Sequence, residues 1–280
     1  MTAVFHDRRL ELPITPPRAA MLALFAVATV FLVPLHWHLA GAAAWAGCAG
    51  LVWRDSEPRL RRRLLVLLGC LAVLSATDIN PSTSDRNFFQ VGVPFFLVIL
   101  VPALILGKTD PGTIRYRFWP ERARRLVVFY TVLSAPLAWS LLKLYWWLEP
   151  DLYTHWTMPP EPEAGPIRRL FLGINLVGIW DELFFVNTVF AVLRSLFRFR
   201  VANALQAVVY TSVLFDMAFT GWGVAIVAVF AWTQGSMFER SESLVWVLLV
   251  HLVVDFFLVA GIVGSYYPGT GLDFLWRHGM

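Results

Sequence analysis

Apolar runs long enough to cross a bilayer follow one another along almost the whole of this chain, with short polar segments between them. They run roughly 16–23 residues, close to the roughly 20 a membrane helix needs and well beyond the 9–11 of a membrane strand. In lipid every backbone N–H and C=O must be satisfied within the protein, which leaves helices and closed barrels as spanning structures. Composition agrees: 58% of the residues are apolar and 15% charged, against about 45–50% and about 25% in soluble domains. The expected fold is all-α, a polytopic transmembrane helix bundle. Hydrophobic patterning gives about nine spans, near 19–35, 37–53, 64–79, 88–106, 126–148, 170–193, 201–219, 222–238 and 244–264. The first two form a short hairpin through His36-Trp37-His38. In the second, Ala42, Ala46 and Gly50 recur at the spacing that lets helix backbones approach. Pro94, Pro102 and Pro136 lie inside spans, where neighbouring groups can satisfy the backbone they free.

The loops alternate in charge. One set carries Arg54 and Arg59 to Arg63, then Lys108 to Arg125, then Arg194, Arg198 and Arg200; the other carries little beyond Arg86, Arg168, Arg169 and Arg277. Cytoplasmic loops are enriched in Lys and Arg, so the N-terminus is expected in the cytoplasm and the C-terminus outside. Met1 to Arg18 lacks the order of a secretory signal, and the first run is expected to be retained. The net charge of +4 is spread without the density of a nucleic-acid footprint, so the partners expected are membrane lipids and a membrane-protein substrate or partner, not nucleic acid. Cys48 and Cys70 lie inside apolar runs and are expected as small buried residues. Tyr116-Arg117-Phe118-Trp119 suits the cytoplasmic interface, and the proline-rich loop 149–169 is expected as an external cap. Three regions follow: 1–164, N-terminal helices and loops; 165–264, a membrane core; 265–280, an external tail.

Polar groups within the spans carry the functional signal. Asp181 and Glu182 stand together in the middle of an apolar run, where one charged group costs about 2.5–3.5 kcal/mol on insertion scales. Helical neighbours point about 100° apart; one acid can therefore face a cavity while the other braces a neighbouring helix. Asn175 and Asn187 are placed to donate hydrogen bonds to them. His251 and Asp255 sit four residues apart on one face of the last span. Asp216 lies near an external span end, where it can serve a site or simply cap a turn. Gln234 and Lys143 are lesser candidates, Lys143 as a snorkelling side chain. One His among several acids is a poor zinc set; no cofactor is expected, and a metal is not excluded.

In this order the segments resemble the CAAX-processing and bacteriocin-processing (CPBP, or Abi) family of intramembrane proteases. Its pattern is Glu-Glu-x-x-x-Arg, then Phe-x-x-x-His, then His-x-x-x-Asn or Asp, each on its own helix. Asp181-Glu182-Leu-Phe-Phe-Val186, Phe215-Asp-Met-Ala-Phe219 and His251-Leu-Val-Val-Asp255 match these in frame. The resemblance implies that the first acid and the middle His activate a water for peptide-bond attack. The third motif holds the oxyanion, and the Arg pairs with the second acid. Here the first acid is the shorter Asp181, the Arg position is Val186 and the His position is Phe219. Asp255 could hold an oxyanion only if protonated, since a carboxylate repels it. The resemblance also implies a plasma membrane, in a bacterium.

Three functions follow from these residues. A catalytically impaired relative, a pseudoenzyme, would bind a lipid or a membrane-protein partner in its polar cavity. A divergent endopeptidase would use Asp181 or Glu182 to activate water, with His251 and Asp255 at the intermediate and Asp216 standing in for the missing His. A proton or ion pathway would use the same acids and imidazole.

Overall fold

The computed structural model describes residues 10–82, 84–119 and 125–270. These residues form an all-helical bundle: α1 (Pro16–Leu32), α2 (His38–Arg54), α3 (Pro58–Ser75), α4 (Asp85–Thr109), α5 (Arg125–Leu148), α6 (Ala164–Leu196), α7 (Phe199–Asp216), α8 (Gly223–Ser241) and α9 (Leu244–Tyr266). The chain is a multi-pass membrane protein. Of the described helices, α4, α5, α6 and α9 have the length and apolarity of a bilayer crossing. That is fewer than the nine spans expected from the sequence. The reason is visible in α3 and α7: α3 takes Arg59 and Arg61 to Arg63 into its first turns, and α7 carries Arg200, Asn203 and Gln206. The early start of α3 is local chemistry. Glu57 caps it by accepting from the Arg59 N–H at 3.1 Å, and Pro58 follows at the first helical position, where its missing N–H costs nothing.

α1 and α2 pair as the expected hairpin, but on another face. Gly41, Ala44, Cys48 and Val52 are buried, while Ala42, Ala46 and Gly50 are exposed. Small residues at four-residue spacing exist on both faces of α2; which face packs is decided by Leu32, whose side chain fills the space above Gly41. Both cysteines are buried and free.

The two ends of the bundle are built differently. At the Arg-rich end the backbone of Leu10 and Leu12 donates to Ser195 O and Leu196 O, at 3.0 and 2.8 Å. Buried Arg63 meets Asp110 and donates to Ser195 Oγ at 2.8 Å. Buried Arg194 meets Glu239 and Glu11, both at 3.1 Å. The loop before α5 also serves α9: Arg117 O and Phe118 O accept from the N–H groups of Leu244 and Val245 at 2.9 and 3.1 Å. A helix start leaves such donors without partners, so this loop caps the helix that carries His251 and Asp255. Tyr116, Phe118 and Trp119 keep exposed rings there; Arg122 and Arg124 of that segment lie outside the described residues, as do Arg8, Arg9 and Arg277.

At the opposite end, the loop after α5 folds over the bundle through a 3₁₀ turn, Leu152–His155. Leu152, Trp156 and Met158 are buried, and Tyr266 and Tyr267 donate to Trp156 O and Pro159 O at 2.7 and 2.6 Å. The loop covers this end of the bundle, and it is shorter than the 149–169 expected from the sequence, because α6 already begins at Ala164. The tail beyond residue 270 lies outside the described residues.

Candidate active site within the bundle

α6 changes its winding where the acid pair begins. From Glu182 to Phe190 it is a π helix, and Thr188 Oγ1 reaches back five residues to Leu183 O at 2.9 Å. Such widened turns are rare and recur at functional sites. Here the change of winding lies between Asp181 and Glu182, and both acids reach one ring. His251 Nδ1 donates to Glu182 Oε1 at 2.7 Å, and His251 Nε2 lies 3.5 Å from Asp181 Oδ2 and 3.6 Å from Asp255 Oδ1. All four side chains are buried, Glu182 completely. Thus α6 and α9 bring together three of the four acids singled out from the sequence and the histidine.

Asp216 is not among them. It ends α7 and faces His36 Nε2 at 3.6 Å, across the α1–α2 turn. The two asparagines expected to serve the acids do not: Asn175 Nδ2 donates to Phe171 O, one turn back on its own helix, and the buried Asn187 amide meets neither acid. Lys143 lies over the Trp139 ring, 5.0 Å from its centre.

Other residues complete the cluster. Gln234 of α8 donates from Nε2 to Glu182 Oε1 at 2.8 Å and to Val247 O at 3.0 Å. The Tyr210 hydroxyl of α7 lies 3.2 Å from His251 Nδ1. Gly178, one turn before Glu182, has no Cβ; one there would collide with Asp255 Oδ2 and come within 2.9 Å of His251 Cδ2. α6 and α9 can close on each other only because this residue is glycine. Gly178 could have been suspected from its place one turn from an intramembrane acid. Tyr210 gave no such signal, being one aromatic among many.

The cluster opens on one side. A cavity of about 1080 Å³ has Asp181, His251 and Asp255 in its wall, with Phe95, Trp180 and Phe219 around them. Trp180 stacks on Phe95 with ring centres 3.7 Å apart and donates to Phe95 O at 2.6 Å. Glu182 stays out of the cavity and braces the imidazole from behind. Asp181 Oδ1 and Asp255 Oδ2 are buried and have no hydrogen-bond partner. A buried polar atom in that state carries the full cost of lost hydration, about 1–3 kcal/mol. Among the described residues no group of three or more His, Cys, Asp and Glu is arranged to hold a metal ion.

Residues 163–257 match the family model for type II CAAX prenyl endopeptidases, Rce1-like. The matched stretch is about a third of the chain and is similar to that family. No curated protein and no solved structure matches the chain. The CPBP match runs from the start of α6 into α9, so it takes in the acid pair, Phe219, His251 and Asp255. In the CPBP pattern the middle motif ends in His; here Phe219 stands in the cavity wall, with Trp156 and Tyr145 rings 6.4 and 6.3 Å from its own. Val186, at the CPBP arginine position, is fully buried in the apolar core.

Proposed function

We propose that this CPBP-type membrane protein binds, and does not hydrolyse, an apolar, amide-bearing segment of a membrane-anchored polypeptide. One observation carries the reading: at the position of the family's proton-transferring His, the cavity wall holds Phe219 inside an aromatic cluster. A general base contributes about 10²–10⁴-fold in rate, and a phenyl ring transfers no proton. The remaining imidazole is held on both nitrogens by carboxyl groups. The carboxyl groups of Asp181 and Asp255 in the cavity wall suit N–H donors, and the apolar walls suit side chains or a lipid tail. The test is a lipidated apolar peptide bearing a photoreactive diazirine, offered to the full-length protein in vesicles. Capture of the intact peptide, weakened by Asp181→Asn, is the expected result. Peptide cleavage by the wild-type protein that disappears in Asp181→Ala overturns it.

The alternative, a divergent endopeptidase, is favoured by the same two acids. Asp181 and Asp255 both stand within 3.6 Å of His251 Nε2, and two neighbouring acids can share a proton in the manner of paired-acid hydrolysis. Cleavage gained by Phe219→His, with none in the wild type, would mark the scaffold as hydrolytic and this chain as its binding form.

A further inference from the structure

The segment between α4 and α5 has two faces with different work. Its inner face is backbone that serves α9. Arg117 O and Phe118 O accept from the N–H groups of Leu244 and Val245, and the buried Ser243 hydroxyl also donates to Phe118 O, at 2.7 Å. Ser243 precedes α9 but makes no side-chain cap of its own. The turn before it is strained: Glu242 has φ 50°, a left-handed backbone that residues other than Gly rarely adopt. Arg117 reaches this turn, with Nη1 3.7 Å from Glu242 Oε2. The outer face is aromatic. Tyr116, Phe118 and Trp119 are 42, 49 and 76% exposed. Around them stand exposed Lys108, Arg125 and Arg240, on the ends of α4, α5 and α8 that the segment joins or touches.

Exposed rings among cations fit the boundary where headgroups meet acyl chains, since each ring has an apolar body and each cation meets a phosphate. Basic residues near span ends stay in the cytoplasm during insertion, so this end faces the cytoplasmic leaflet, whose surface carries anionic lipids. We infer that residues 113–119 are a docking surface for anionic phospholipid headgroups, and that their seating on the leaflet fixes the start of α9. The rings enter the boundary, and Lys108, Arg125 and Arg240 meet headgroup phosphates. The carbonyls of Arg117 and Phe118 are then held on the first N–H groups of α9, which no earlier turn of that helix can satisfy. His251 lies seven residues further along α9, about 10 Å at 1.5 Å per residue, so order at the helix start reaches the imidazole. A leaflet takes rings and cations in one plane. A zwitterionic surface takes the rings and does not reward the cations, and an acidic protein segment pairs the cations and leaves the rings uncovered.

The test uses the full-length protein in nanodiscs of phosphatidylcholine, alone or mixed with phosphatidylglycerol, and reads backbone hydrogen exchange in residues 113–119 and at Leu244 and Val245. A basic residue near an anionic surface is worth about fivefold in an equilibrium. Exchange at both places is therefore expected to slow about tenfold or more in the mixed discs, and the slowing is expected to vanish at high salt, which screens exposed charge. Lys108→Gln with Arg240→Gln, and separately Trp119→Ser, should lose the slowing while keeping the melting temperature in detergent, since all three side chains are exposed. Slowing confined to 113–119, with Leu244 and Val245 unchanged, overturns the hold on α9. Equal protection in phosphatidylcholine alone overturns the anionic headgroup as partner. The same slowing produced in those neutral discs by an added acidic peptide overturns the leaflet in favour of a protein partner. No slowing anywhere overturns the inference whole.

Discussion

The two halves of the bundle place buried charge in opposite ways. At the Arg-rich end each buried cation has its acid: Arg63 meets Asp110, Arg194 meets Glu239 and Glu11, and backbone bonds from Leu10 and Leu12 close the corner. In the cluster between α6 and α9 one imidazole is shared by three carboxyl groups, and three carboxyl oxygens have no hydrogen-bond partner. Taking a paired charge from water can be offset by its partner, while an unsatisfied one is a standing cost. The first arrangement holds helices together. The second leaves acceptors without partners beside a cavity, the feature on which the proposed binding reading rests.

The contrast can be broken at several points, beginning with the largest effect. His251→Ala removes the group that Asp181, Glu182 and Asp255 share; stripping one partner from a buried charged cluster costs about 3–5 kcal/mol, and thermal unfolding in detergent should show it together with loss of peptide capture. Arg63→Ala should lower stability by about 1–3 kcal/mol, because Asp110 and Ser195 lose their charged donor, yet leave capture by the folded fraction intact. Loss of capture there would tie the two halves together. Gly178→Ala inserts a methyl against Asp255 and His251; overpacking costs about 1–3 kcal/mol, and capture should fall further than stability does. Gly173→Phe separates the halves in the other direction. Gly173 lines the cavity and a Cβ there meets nothing within 4 Å, so the ring should block capture with an unchanged melting temperature.

The smallest effect is one of pH. The Arg18 guanidinium, at 2.8 and 3.0 Å, holds the Asp55 carboxyl below the usual aspartate range. A carboxyl lowered by folding adds stability that is fully present above its unfolded value of about 3.9 and is lost as pH falls through the lower folded value. Asp55→Asn should therefore flatten the acid limb of the stability profile below about pH 4, by about 1 kcal/mol or less, without touching the site.

Much of the site could be named before any coordinates because oil makes charge conspicuous. Asp181, Glu182, His251 and Asp255 stand out on apolar runs, and His251 and Asp255 share a helix face by spacing alone. Asp216 stood out equally and belongs to an outer contact with His36, since an acid near a span end is as well placed to hold a turn as to reach a cavity. Periodicity was silent on which small-residue face of α2 packs. It was equally silent on Asn175, whose amide bonds its own helix. Gln234 stood out as a polar group within a span and does meet Glu182, while Tyr210 enters the cluster only because α7 packs against α6, a fact no local pattern contains.

Sequence alone determined that this chain is an all-helical membrane protein with acids and an imidazole inside its spans, because backbone satisfaction and hydrophobic length are properties of each segment separately. Tertiary structure decided that the π-wound turn of α6 and the bare face of Gly178 let four of those groups meet. It also decided that the resulting cavity runs toward the end opposite the Arg-rich loops. Both depend on how close two helices can come, and that distance is set by the neighbour as much as by the segment itself.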